Sequence, residues 1–134
     1  MTGAHRCRAR STFVAAVLIQ LAVLYWPWPV GGRELLPHLD KGVHALVFGA
    51  VALAGIRAGL PPRPLAAALV AHAGLSEVVQ GSVLDQRGAD PWDAIADLIG
   101  TALGVLLASV SGRRAGSSGP PDVDESSSRG TLGP

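Results

Sequence analysis

Three pairs of polar residues stand at helical spacing in an otherwise apolar chain: Asp40 and His44 four apart, Glu77 and Gln80 three apart, Asp93 and Asp97 four apart. On a helix each pair shares a face. Lys41 and Arg87 add two fixed cations. Carboxylates, an imidazole and cations together are what phosphoryl or glycosyl chemistry requires, and also what recognises a polar lipid headgroup. Glu77, Asp93, Asp97 and His44 are the candidates for acid–base work. Asp40, Lys41, His44, Glu77, Gln80, Arg87, Asp93 and Asp97 are the candidates for binding, with Lys41 and Arg87 suited to phosphate. Four carboxylates (Asp40, Glu77, Asp93, Asp97) against two fixed cations and one histidine leave negative charge in excess. That predicts a protonated carboxyl group, a charged His44 or a bound cation, and it specifies no particular metal or cofactor.

The elements that must carry these groups are four apolar blocks: Thr12–Trp28, Val43–Leu60, Pro64–Leu84 and Trp92–Ser111. Each is roughly 17–21 residues, enough for a helix to cross about 30 Å of hydrocarbon. None repeats a charged face at helical period, as a long soluble amphipathic helix does. Pro27, Pro29, Gly31 and Gly32, then Pro61, Pro62 and Pro64, then Gly88 and Pro91 break the blocks apart. The 134-residue chain is 49% hydrophobic and 16% charged, with one cysteine and a formal charge of +1. Mean hydropathy is +0.36. These values exclude a disordered chain, a coiled coil, a disulfide scaffold and a polybasic nucleic-acid binder. The expected fold is all-α, a bundle of four transmembrane helices. Residues 1–11 form a cytoplasmic segment, 12–111 the membrane domain and 112–134 a disordered cytoplasmic tail rich in Gly, Ser and Pro.

Arg6, Arg8 and Arg10 ahead of the first block resemble the start of a signal peptide. The block ends in Tyr25-Trp26-Pro27-Trp28 instead of a small-residue cleavage site, which favours a retained anchor. With four spans, seven basic residues near span ends (Arg6, Arg8, Arg10, Arg57, Arg63, Arg113, Arg114) fall on the side of the termini and three (Arg33, Lys41, Arg87) on the other. Both termini are therefore expected in the cytoplasm. Outside the tail, all seven acids (Glu34, Asp40, Glu77, Asp85, Asp90, Asp93, Asp97) belong to the outer side, as do Tyr25, Trp26, Trp28 and Trp92. Counting along the helices puts His44, Glu77, Gln80, Asp93 and Asp97 in one layer on the order of 5–10 Å beneath the outer interface. The plainer account of that layer is helix–helix pairing, with Asp93 capping the start of its helix. His72 reads as a packing residue, Gly100-x-x-x-Gly104 as a close helix contact within the chain, and Cys7 as a bystander thiol.

Asp40-Lys41-Gly42-Val43-His44 with Phe48, then Glu77-Val78-Val79-Gln80, then Arg87, Asp93, Gly100 and Gly104 resemble, in order and spacing, the motifs of the VanZ-like family of small bacterial membrane proteins. The resemblance spans about Asp40 to Gly104. Asp97 stands where that family usually has Asn, and Ala45 where an aromatic residue is common. What the resemblance implies is a multi-pass protein of the bacterial plasma membrane with a role in the cell envelope. The founding member is associated with low-level resistance to the glycopeptide teicoplanin. The expected partners are membrane lipids or lipid-linked cell-wall intermediates, with no nucleic acid. Two further readings stand beside it: a small proton-coupled transporter using Glu77, and a non-catalytic membrane scaffold subunit.

Overall fold

The structure, a computed structural model, describes residues 3–25, 39–83 and 90–116. Trp26, Trp28, Arg33, Glu34, Asp85, Arg87 and the tail from residue 117 lie outside them. The described residues form four helices and no strand: α1 (Gly3–Tyr25), α2 (Leu39–Arg57), α3 (Pro62–Val83) and α4 (Pro91–Gly116). All-α architecture is therefore as expected. The helices extend past the apolar blocks, α1 beginning nine residues before Thr12 and α4 running five past Ser111.

The turn between α2 and α3 shows how the proline-rich break is used. Gly59 adopts a left-handed φ of +95°. Its N–H donates to Ile56 (3.0 Å) and the N–H of Leu60 to Gly55 (3.0 Å), a closure that satisfies carbonyls of the last turn of α2. Pro62 then opens α3 at a position where a missing N–H costs nothing. The prolines that end one helix thus begin the next.

Three helices, α1, α2 and the Pro91–Gly112 stretch of α4, are long and apolar enough to cross a membrane. The third, α3, carries Arg63, His72, Glu77 and Gln80 and is not among them. The lateral surface is apolar: Leu18, Leu46, Val78, Ile99, Leu106 and Leu107 are all more than half exposed. Only Gln20 and Leu24 of α1 are buried. An aqueous bundle of this size does not expose so much contiguous hydrocarbon.

Helix α2 is the hub, packing against α1, α3 and α4, most extensively α4. Phe48, Val51 and Ala52 of α2 meet Leu24 of α1 and Leu69 and Ala73 of α3 in the core. Against α4 the packing is backbone to backbone. A Cβ on Gly100 would collide with the Ala45 carbonyl, one on Gly104 with the Gly49 carbonyl, and one on Gly49 would stand 3.0 Å from the Gly100 carbonyl oxygen. Gly100-x-x-x-Gly104 is therefore used inside the chain, as the contact surface for α2.

This seam predicts a position-specific cost. Gly100→Ala is expected to destabilise the protein in detergent by about 1–3 kcal/mol through overpacking. Gly74→Ala meets open space and should leave the melting temperature unchanged or raise it. Equal melting temperatures for Gly100→Ala and the parent would mean that the two backbones are not in contact.

Candidate functional site

At the end of the bundle where α2 and α4 begin and α3 ends, the polar side chains fall into two tiers. The outer tier ties helix ends together. Asp90, followed by Pro91 at the first helical position, caps α4. Its Oδ1 accepts from the Trp92 N–H (3.0 Å), and the Asp93 N–H donates to its carbonyl (2.9 Å). The cap is thus Asp90 rather than Asp93, which lies within the first turn with its carboxylate turned toward α2. Glu77 reaches across from α3, its Oε2 accepting the Asp90 N–H at 2.9 Å. From the first turn of α2, Lys41 Nζ donates to Asp90 (2.7 Å), Asp93 (3.0 Å) and Asp40 (3.1 Å). An ammonium group has three donors. All three are engaged, so Lys41 is a clasp between α2 and α4 and has no donor left for a phosphate.

The inner tier lies one turn deeper. His44 is 5% exposed and Asp97 fully buried. His44 Nδ1 and Asp97 Oδ1 are 3.0 Å apart, and His44 Nε2 stands 4.0 Å from Asp93 Oδ2. An ionised carboxylate only accepts, so Nδ1–H donates in this bond, and Nε2 is directed toward the Asp93 carboxylate. That pairing, a buried acid orienting a histidine, holds the ring between two carboxylates at a position where a proton can be gained or given up. Asp97 Oδ2 and Glu77 Oε1 are buried with no hydrogen-bond partner among the described residues, as is Gln20 Nε2 of α1. Two acceptors thus stand unused at the site, and one donor on α1.

Asp40, Lys41, His44, Glu77, Asp93 and Asp97 come together as their spacing suggested. Gln80 sits at the same end but is diverted, its amide donating to the Leu24 carbonyl in the last turn of α1 (3.3 Å). Arg87 lies outside the described residues. His72 is a packing residue, meeting the Tyr25 hydroxyl at 3.2 Å and stacked on Phe48 with ring centroids 5.6 Å apart. Asp90 and Gln20 were missed. Asp90 has no helical partner in the sequence, although an acid before Pro91 is a helix-start signal. Gln20 is the one polar residue between Phe13 and Leu24, and its isolation was the available signal.

Charge explains the tiers. Among the described residues five carboxyl groups (Asp40, Glu77, Asp90, Asp93, Asp97) surround one lysine and one histidine at this end. Asp40, Asp90 and Asp93 each place a carboxylate oxygen within 4.8 Å of the other two. Lys41 sits among them as a built-in counter-ion, relieving repulsion that is severe in a low-dielectric setting.

Two outcomes follow. Lys41→Ala is expected to lose several degrees of melting temperature, partly recovered by millimolar calcium, while the parent is indifferent to calcium. Asp97→Ala strips His44 of its buried partner and should cost on the order of 2–4 kcal/mol. Asp97→Asn keeps an acceptor oxygen and should cost less than half of that. Equal losses for Asn and Ala in thermal melts would show that the Asp97–His44 bond is not formed.

No protein-family model, curated protein or solved structure matches this chain.

Proposed function

We propose that the chain is a four-span, VanZ-like protein of the bacterial plasma membrane, with both termini cytoplasmic and the acidic end facing outward. Its inner polar tier engages the headgroup of a membrane lipid or a lipid-linked cell-wall intermediate, and through this it affects glycopeptide sensitivity. Helix α3 is the fourth span in this reading. Its 22 residues rise about 33 Å, and it packs along both α2 and α4.

The observation that carries the reading is the state of Asp97. Helix pairing accounts for Lys41, Asp90, Asp40 and one oxygen of Glu77, each consumed at a helix end. It does not account for a fully buried carboxylate that holds a histidine with one oxygen and nothing with the other. Such a group costs several kcal/mol in an apolar setting, and a ligand is what offsets that cost at a functional site. With Lys41 engaged, the groups that the helix ends leave unused are His44 Nε2, Asp93 Oδ2, Asp97 Oδ2 and Glu77 Oε1. They suit hydroxyl or ammonium groups of a headgroup, with its phosphate left to Arg87. The described buried polar groups are Gln20, His44, Ser76, Gln80, Asp93, Asp97 and Thr101. All but Thr101, which sits mid-span with its hydroxyl on the Asp97 carbonyl, lie toward this end, while Val51, Leu69 and Ala108 fill the core beyond them. That distribution supports a one-sided site over a proton path through the membrane, and hence the headgroup reading over the transporter.

His44→Gln and Glu77→Gln, at expression matched to the parent, are expected to change the lipids that copurify with the protein and to shift glycopeptide sensitivity of the host at least twofold. Unchanged copurifying lipids and unchanged sensitivity in both variants would contradict the proposal and favour a scaffold.

A further inference from the structure

The opposite end of the bundle holds a second feature, independent of the acidic tiers. Between α1 and α2 runs a groove of about 430 Å³. His5 and Arg8 of α1 and Arg57 of α2 form its mouth, and Ala16, Ala50 and Leu53 form its floor. From Arg8 to Ala16 and from Arg57 to Ala50 the walls descend about 10–12 Å along their helices. Polarity falls in the same direction on both walls. Thr12, between mouth and floor, spends its hydroxyl on the Arg8 carbonyl (3.0 Å), so it adds no free donor. The small side chains make the groove; leucines at Ala16 and Ala50 would fill it.

The mouth is unneutralised. Apart from the Cys7 thiol, every charged or titratable side chain described at this end is basic: His5, Arg6, Arg8, Arg10, Arg57 and Arg63. Among the described residues no carboxylate pairs with Arg8 or Arg57. Nor is Arg57 needed to finish its helix, because Gly59 and Leu60 already satisfy carbonyls of that turn.

We propose that this groove is a binding site for an anionic phospholipid of the adjacent leaflet. Its phosphate is held between Arg8 and Arg57, and the first stretch of an acyl chain lies on the alanine floor. Charge complementarity selects the headgroup, and the gradient from arginine to alanine along both walls reproduces the order of polarity within a phospholipid. Guanidinium groups from two helices grip a phosphate with directed N–H bonds, where a diffuse basic collar supplies only attraction. A lipid held there also fastens α1, the helix with the fewest buried residues, to the hub helix α2.

The test is native mass spectrometry of the full chain in detergent, titrated separately with phosphatidylglycerol, phosphatidylcholine and inorganic phosphate. The parent should bind phosphatidylglycerol more tightly than phosphatidylcholine, by on the order of fivefold per engaged arginine. Arg8→Gln/Arg57→Gln should abolish that preference, and Arg10→Gln/Arg63→Gln, which removes equal charge off the groove, should keep it. Ala50→Leu, at an exposed position, should lose the bound lipid with every arginine in place. Equal weakening by both arginine pairs, undiminished binding in Ala50→Leu, or displacement of the lipid by inorganic phosphate alone would overturn the proposal. So would a headgroup preference that emerges only when Asp122, Asp124 and Glu125 are neutralised, an outcome that assigns the arginines to the tail.

Discussion

The contact between the backbones of α2 and α4 decides where every polar group at the acidic end can stand. With no Cβ at Gly100 and Gly104, the carbonyls of Ala45 and Gly49 lie directly against α4. Separation at that seam fixes the separation one turn above it, where His44 and Asp97 meet at 3.0 Å, and two turns above it, where Lys41 gathers the carboxylates of α4. A larger residue at the seam would part both tiers together. The small-residue motif and the ionisable cluster are therefore one device, the first setting the distance and the second depending on it.

Charge is divided along the bundle in a way that neither folding nor insertion requires in full. Arginines at one end are enough to orient a membrane protein, and acids contribute little to orientation. The acids at the other end need a separate cause. Capping accounts for Asp90, and the Lys41 clasp accounts for the carboxylates beside it. The buried pair of His44 and Asp97 is what remains after the architecture has been served. At the basic end the remainder has the opposite sign: Arg8 and Arg57 face a groove and no described acid. Each end thus keeps charged groups that the fold itself does not use.

Much of this was legible in the sequence because it follows from helical periodicity. Asp40/His44 and Asp93/Asp97 at four-residue spacing, placed near the starts of two helices, had to share a level once those helices were neighbours. Block length and hydropathy likewise led to an expectation of four spanning helices, and three of them, α1, α2 and α4, are long and apolar enough in the structure. What could not be read depended on what lies across a helix boundary. Gln80 shares a face with Glu77, yet its amide donates to the Leu24 carbonyl at the end of α1, a contact that no spacing within α3 announces. Lys41 looked available for phosphate until three carboxylates, one of them belonging to a capping residue outside any helical pair, were seen to surround it. The block expected as the third span, α3, is not among the helices apolar enough to cross a membrane, since Arg63, His72, Glu77 and Gln80 lower its hydropathy.

His44 of α2 and Asp97 of α4 form one buried unit, held at bonding distance by the seam beneath them. A double-mutant cycle on His44→Ala and Asp97→Ala, read by unfolding in detergent, tests it most directly. The double variant is expected to be more stable than the sum of the single losses implies, by about 1–3 kcal/mol. Strictly additive losses would mean that the two side chains do not interact, and the site as described here would not exist.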